Sequence, residues 1–198
     1  MTEDAARPRD IEDVLAGDVL SVARGLLGCR LVTDLNGTAT EVAIDDVEAY
    51  GGADDPASHA YRGRTKRNDS MFREPGTLYV YRSYGVHWCA NIVTGLEGEP
   101  SAVLLRGGVP VAGIDTMKSR RGRADHLTDG PGKLCSALGI TGEHDGTSLI
   151  DGPVRLVSDG LPHTAMIDAG PRIGITKATD RPWRFVARTA GRSSLRHT

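Results

Sequence analysis

The stretch Arg30 to Tyr50, RLVTDLNGTATEVAIDDVEAY, turns on the dipeptide Asn36-Gly37. These two residues accept the successive left-handed conformations of a two-residue hairpin turn at little steric cost. β-prone runs flank them, so the stretch predicts an antiparallel strand pair whose second member extends to Glu48 and Tyr50. Upstream, an apolar stripe at Leu15, Val19, Leu20, Val22, Leu26 and Leu27 predicts a helix ended by Gly28. Downstream, Gly51 to Ser70 carries no periodicity, and irregular segments of that length in compact domains are usually functional or disordered. "TLYVYR" and "HWCANIV" predict two strands joined by a tight turn around Ser83-Tyr84-Gly85, and "SAVLLR" predicts a buried central strand ending in Arg106. Ile114 to Arg121 is predicted helical. "DGPGKLCSALG" predicts another helix, with Asp129 as N-cap, Pro131 in its first turn and Gly139 as its stop. "PVRLV", "RIGI" and "WRFVA" predict short terminal strands. The expectation is an α+β fold: a disordered stretch over residues 1–10, then one mixed domain over 11–198 around a mostly antiparallel, curved sheet with a protruding β-hairpin.

At 198 residues the chain is long enough for one domain that buries roughly 70% of its unfolded surface. No stretch approaches the roughly 20 apolar residues of a membrane span, and the polar start MTEDAARPRD does not read as a signal peptide. Cys29, Cys89 and Cys135 are widely spaced and odd in number, which predicts reduced thiols and neither a disulfide framework nor a zinc site. The overall charge of −2 conceals an asymmetry: residues 1–60 carry thirteen acidic against four basic side chains, and residues 61–198 carry thirteen acidic against twenty basic. Three basic runs, Arg62 to Arg73, Lys118 to Arg123 and Lys177 to Arg196, predict a basic surface suited to a polyanion such as nucleic acid.

Several motifs admit a chemical and a plain reading. "GPGKL" lacks the spacing of a nucleotide-hydrolysing loop, although a helix start with Gly and Lys133 can hold a phosphate through free backbone N–H groups. Asp45, Asp46, Glu48, Asp54, Asp55 and His59 fall close together, but alternation sends Asp45 and Asp46 to opposite faces and no second His is near, which argues against a metal site. Glu48 at a strand end is a candidate general base. Of only five Tyr and two Trp, three Tyr and one Trp lie between Tyr79 and Asn91. Alternation puts Tyr79 and Tyr81 on one face, and Tyr79 and Trp88 read as core packing. Tyr84, beside Gly85 at the turn, reads as an exposed aromatic able to wedge into or stack on bases.

Taken together, "VEAYGG", "DDPASHAYRGRTKRN", "PGTLYVY" and "SYGVHWCANIVT", followed in order by "SAVLLR", "GPGKLCSALGI" and "RIGI", closely resemble the alkyladenine (3-methyladenine) DNA glycosylase family from about Leu20 to about Arg188. The resemblance implies a monofunctional DNA-repair glycosylase. Such an enzyme flips damaged purines (3-methyladenine, 7-methylguanine and, further, hypoxanthine and ethenoadenine) out of duplex DNA. A Glu-activated water then hydrolyses the N-glycosidic bond and leaves an abasic site. On matching positions Glu48 is the general base and Arg106 positions the water. Tyr50, His59 and Tyr81 hold the flipped base, Asn91 selects against guanine, and Tyr84 intercalates in the minor groove. A backbone carbonyl near Val186 or Ala187 also touches the water. Arg64, Arg67 and Lys133 are expected on the DNA backbone. The chain departs from the pattern at Val86 and His87, beside the wedge. No metal or organic cofactor is expected. The expected partner is double-stranded DNA with alkylated or deaminated purines, bound by a cytoplasmic, nucleoid-associated monomer with no membrane role. Two rivals stand beside this reading: a non-catalytic nucleic-acid-binding module, which has no need of Glu48, and a metal-dependent hydrolase using Asp45, Glu48, Asp54 and His59.

Overall fold

A computed structural model describes residues 10–158 and 166–188, so the expectation for residues 1–10 falls almost wholly outside the described residues. In chain order the strands are β1 (Arg30–Leu35), β2 (Thr38–Tyr50), β3 (Leu78–Ser83), β4 (His87–Val93), β5 (Ala102–Ala112), β6 (Val154–Val157), β7 (Met166–Gly170) and β8 (Arg184–Arg188). The helices are α1 (Ile11–Leu15), α2 (Val19–Gly25), α3 (Ile114–Arg121) and α4 (Pro131–Leu138).

The fold grows from the hairpin at Asn36-Gly37. Both residues take positive φ, 55° and 72°, and β1 pairs with β2 from Leu35↔Thr38 to Arg30↔Ala43. At 13 residues β2 is the longest strand and carries the sheet. β5 runs along one edge of it. The other edge is shared in sequence, first by β1 and then by β8, which pairs at Asp46, Val47 and Glu48. The order is β3-β4-β5-β2-β1-β6, with β7 joined through β8, and the pairs are antiparallel. The result is a curled, mostly antiparallel sheet with a few helices: the expected α+β architecture with its β3–β4 hairpin.

Strand alternation divides the sheet into two faces. Val47 and Ala49 of β2, Leu78 and Val80 of β3, Ala90 and Ile92 of β4, and Val103 and Leu105 of β5 enter the main core with Leu26, Leu27, Leu134 and Leu138. Burying each aliphatic side chain contributes about 1.5–3 kcal/mol, so a one-residue slip that exchanged the faces would be heavily penalised. Tyr50, Tyr79, Tyr81, Cys89, Asn91, Leu104 and Arg106 occupy the opposite face and line a cavity. There the segment between β2 and β3 covers a small second cluster of Ala60, Met71, Tyr79, Val93 and Ala102.

That covering segment is ordered by hydrogen bonds without long secondary structure. Its only regular pieces are short 3-10 turns at Gly52–Asp54 and Asp69–Phe72. Asn68 donates through Nδ2 to the carbonyls of His59 (2.9 Å) and Gly63 (3.0 Å) and accepts from the Thr65 N–H (2.6 Å).

Several local expectations are corrected. The single N-terminal helix is two, because Gly17 takes φ 118° and Asp18 caps α2 through the N–H groups of Leu20 and Ser21. Gly130, not Asp129, is the N-cap of α4; Asp129 is held by Lys133 and His126. "RIGI" is not a strand, since Arg172 turns into the protein and ties this segment to another loop. β5 continues past Arg106 to Ala112, and β7 is a strand the sequence pattern did not predict. The run Lys118 to Arg123 is engaged within the protein: Lys118 pairs with Asp115, Arg123 pairs with Asp125, and Arg120 donates to the Ala137 carbonyl. The run from Lys177 extends beyond the described residues.

Gly52 and Gly63 both have positive φ, 68° and 90°, yet they differ in space. A Cβ on Gly52 would lie 1.6 Å from the Pro100 carbonyl oxygen, whereas one on Gly63 would meet nothing within 4 Å. Gly63→Ala is therefore expected to cost about 1–2 kcal/mol of strain, and Gly52→Ala about 2–5 kcal/mol because a backbone clash is added. Urea denaturation of the two variants checks the order.

Candidate active site

The chemistry converges on Glu48. It lies on the cavity face of β2 with Asp46 and Tyr50, as alternation requires, yet its side chain has no exposed surface. One oxygen, Oε1, accepts from the backbone N–H of Ile173 at 2.8 Å and lies 3.2 Å from Nη1 of Arg106. The other, Oε2, accepts from the Tyr50 hydroxyl at 2.8 Å. Burial pushes the Glu48 carboxyl above its ordinary range and outweighs the opposing pull of Arg106, the Ile173 N–H and the Tyr50 hydroxyl. Burial first, and then the charge of Glu48, raise the Tyr50 phenol, so the hydroxyl keeps its proton for that hydrogen bond.

Arg106 reaches Glu48 because the β2–β5 ladder is irregular there. The register passes from Asp46↔Gly107 to Val47↔Leu105, which leaves Arg106 without a directly opposed residue. Glycines follow it for a steric reason: a Cβ on Gly107 would sit 3.0 Å from Asp45 Oδ1, and one on Gly108 2.9 Å from the Ala43 carbonyl oxygen. Arg106 Nε is buried with no hydrogen-bond partner in the protein. Asp46 is held bidentately by Arg184, at 3.0 and 2.8 Å, so Glu48 does not face a second bare carboxylate.

The cavity has a volume of about 610 Å³, within the range that holds a purine-sized ligand. Its aromatic wall is a packed set. His59 meets Tyr81 edge-on at 4.5 Å between ring centres, and Tyr79 stacks on Tyr81 at 5.6 Å. His59 Nδ1 and the Tyr79 hydroxyl are 3.0 Å apart. Burial, reinforced by the charge of Arg67, pushes His59 below its ordinary 6.5, so the ring is neutral at pH 7. Asn91 is buried in the floor and donates through Nδ2 to the Tyr79 carbonyl at 3.1 Å. Tyr84, at the hairpin tip, is 92% exposed and takes φ 49°.

Arg106, Tyr50, His59, Tyr81, Asn91 and Tyr84 thus line one cavity and its mouth, and Glu48 sits behind that lining, against Tyr50, Arg106 and Ile173. Of the three expected backbone contacts, Arg67 lies at the cavity with its guanidinium 5.5 Å from the Tyr81 ring centre. Arg64 is instead paired with Asp69 at 2.7 Å, and Lys133 with Asp129 at 3.0 Å. Tyr79 is buried as expected but also lines the cavity, while Trp88 is half-buried at the edge of the main core. Among the described residues no group of three or more His, Cys, Asp or Glu is close enough to hold a metal ion, so Asp45, Glu48, Asp54 and His59 do not assemble. No helix of the described residues is long and apolar enough to cross a membrane.

Sequence reasoning missed the Ile173 amide and the buried ion pair behind it. Arg172 donates through Nη2 to Asp55 Oδ1 at 2.9 Å and through Nη1 to the Ala49 carbonyl at 2.9 Å, with neither charged side chain exposed. Burial pushes the Asp55 carboxyl up, but the hydrogen bonds from Arg172 prevail and hold it below its ordinary range. The available signal was an acidic pair, Asp54-Asp55, and an Arg inside "PRIGI", with nothing to link them across 117 positions.

Because the folded state raises the Glu48 pKa, the sign for stability follows. The protonated form is favoured by folding, and that contribution is lost as pH rises from 4.5 through the raised value. Glu48→Gln, which mimics the protonated carboxyl, is expected to raise the thermal midpoint at pH 7. The advantage should vanish below about pH 4, as scanning calorimetry at the two pH values would reveal.

The family model for methylpurine-DNA glycosylase matches residues 13–190. Similar proteins assigned by name as 3-methyladenine DNA glycosylases occur in widely separated organisms. That of Methanoculleus marisnigri is 51% identical over 173 residues, covering 85% of this chain and 89% of its own length. That of Agrobacterium fabrum is 51% identical over 171 residues, covering 85% and 83%. That of Mycobacterium tuberculosis is 46% identical over 181 residues, covering 86% of each.

Proposed function

The chain belongs to the methylpurine-DNA glycosylase family, and on that premise we propose that it is a monofunctional DNA-repair glycosylase that hydrolyses the N-glycosidic bond of damaged purines with Glu48 as general base. The observation that carries the reading is a fully buried carboxylate held directly behind three lining residues, Tyr50, Arg106 and Ile173, of an aromatic cavity whose mouth bears an exposed Tyr.

A base stacked in a duplex is out of reach of any side chain, so it must rotate out, at a cost of a few kcal/mol that damage or mismatch lowers. Tyr84 occupies the gap left in the stack. The extruded base enters between Tyr50, His59 and Tyr81, where electron-rich rings favour an alkylated purine cation by about 0.5–2 kcal/mol. Asn91, on the cavity floor, disfavours the exocyclic amino group of guanine. Arg67, at the cavity mouth, meets the phosphate of the rotated nucleotide.

In the chemical step the bond from C1′ to the purine nitrogen breaks through an oxocarbenium-like state, and a water oxygen bonds to C1′. Glu48 takes the water proton. Its Oε1 is held by both Ile173 and Arg106, so Oε2, held by the Tyr50 hydroxyl alone, is the oxygen that turns to the water. Arg106, which lines the cavity beside that carboxylate, orients the water. The bonding electrons leave with the base: an alkylated purine departs neutral, while hypoxanthine and ethenoadenine leave as anions and take up a proton from solvent, into which Glu48 in turn releases the proton it took from the water. The substrates are alkylated purines, 3-methyladenine and 7-methylguanine, with hypoxanthine and ethenoadenine as further members. The enzyme acts as a monomer in the cytoplasm, on nucleoid DNA.

Two outcomes test this. Base release from methylated or hypoxanthine-containing duplex is expected to survive EDTA and to fall about 10²- to 10⁴-fold in Glu48→Gln, with duplex binding retained. Equal release by that variant overturns the mechanism, and binding without release by the wild-type protein supports a non-catalytic module. Tyr84→Ala is expected to lose about 10- to 100-fold on fully paired duplex, the equivalent of one lost stack. That deficit should shrink on mismatched or single-stranded DNA; a constant deficit counts against the wedge.

A further inference from the structure

The two hydrogen bonds that hold Glu48 come from groups that share one neighbour. Ile173, whose N–H reaches Oε1, follows Arg172 in the chain, and the guanidinium of Arg172 lies 4.6 Å from the ring centre of Tyr50, whose hydroxyl reaches Oε2. Arg172 is itself immobilised. Asp55 takes both of its terminal nitrogens, the Ala49 carbonyl accepts from Nη1, and the Trp183 ring lies 5.2 Å from the guanidinium. Asp55 is fixed in turn, accepting from the N–H groups of Gly51 (3.1 Å) and Ala57 (3.2 Å). The pair therefore clamps three segments together: the end of β2, the loop after it, and residues 171–175.

We propose that the buried Asp55–Arg172 pair is a positioning unit for Glu48, fixing the Ile173 N–H on one carboxylate oxygen and the Tyr50 hydroxyl on the other. The inference rests on the reading of Glu48 as general base. A purely structural tie has no need to abut both hydrogen-bond donors of the Glu48 carboxylate, nor to brace a cavity wall from behind. The pair acts through these neighbours, since neither Asp55 nor Arg172 is hydrogen-bonded to Glu48.

The consequence is electrostatic. The other groups facing Glu48 are Arg106 from β5, Asp46 from β2, Arg184 from β8 and Tyr81 from β3. None of these depends on the clamp for its place in a strand. Loosening the clamp removes donors that favour the ionised carboxylate and leaves burial unopposed by them, so Glu48 would titrate at higher pH.

The test compares wild-type protein with Arg172→Lys and Asp55→Asn. Carboxyl-13C glutamate, with Glu48 assigned through Glu48→Gln, reports the titration of Glu48, and the Ile173 amide resonance reports its hydrogen bond; neither needs substrate. In parallel, single-turnover base release from a methylated duplex is followed against pH. In both variants Glu48 is expected to titrate at higher pH and the acid limb of the release profile to move up by the same interval. The plateau should drop about 10- to 100-fold through misplacement of the base, while duplex affinity stays within about two-fold. Folded variants with a lower thermal midpoint but an unmoved Glu48 titration and acid limb overturn the proposal and leave the pair a structural tie. If Arg172→Lys loses its folded amide spectrum, the nearly isosteric Asp55→Asn decides the same readouts. A wild-type protein that releases no base, with the Glu48 titration still shifted in the variants, sinks the glycosylase reading and leaves the positioning role standing.

Discussion

Glu48 is a carboxylate withdrawn from water, and the fold around it is organised by the donors it needs. Taking such a group out of solvent costs several kcal/mol unless hydrogen bonds and an opposite charge replace the lost hydration. The replacements arrive from three places: Tyr50 two residues along the same strand, Arg106 from the neighbouring strand, and the Ile173 amide from a segment near the far end of the chain. Bringing them together demands a central strand whose edges are both occupied and whose register is broken at one point. β2 meets that demand, with β5 on one edge and β1 then β8 on the other.

The sheet separates stability from chemistry by alternation. One face of β2–β5 supplies the main core; the other supplies the cavity, and the same strands serve both. On the cavity side the protein accepts features that a core would exclude. Arg106 Nε and Arg172 Nε are buried without hydrogen-bond partners. Tyr84 holds a left-handed backbone, φ 49°, and an exposed ring; non-Gly residues in that region carry strain of order 1–3 kcal/mol.

How far the sequence was legible depended on the range of the interaction. Asn36-Gly37 announced its hairpin because the turn depends on two adjacent residues. Tyr79 and Tyr81 could be assigned to one face because alternation is a property of each strand alone. The single helix expected before β1 missed the break at Gly17-Asp18, where capping by Asp18 prevails over a continuous apolar stripe. "RIGI" looked like a strand because its residues are β-prone, and it is a loop because Arg172 makes contacts that no local propensity encodes. Arg64 and Lys133 looked free for a polyanion, and each has an acidic neighbour within a few positions that the charge count did not weigh.

The sequence by itself determined the strand pattern, the turns, the aromatic cluster and, through the order of its motifs, the family, since all of these are written in residues near one another along the chain. Only the tertiary structure decided that Glu48 is sealed from solvent, that Arg106 escapes the ladder to reach it, and that Asp55 and Arg172 stand behind both of its donors. The reason is physical. Burial and the replacement of lost hydration are set by groups from distant parts of the chain, and a lone carboxylate in a strand reads the same in sequence whether water or protein surrounds it.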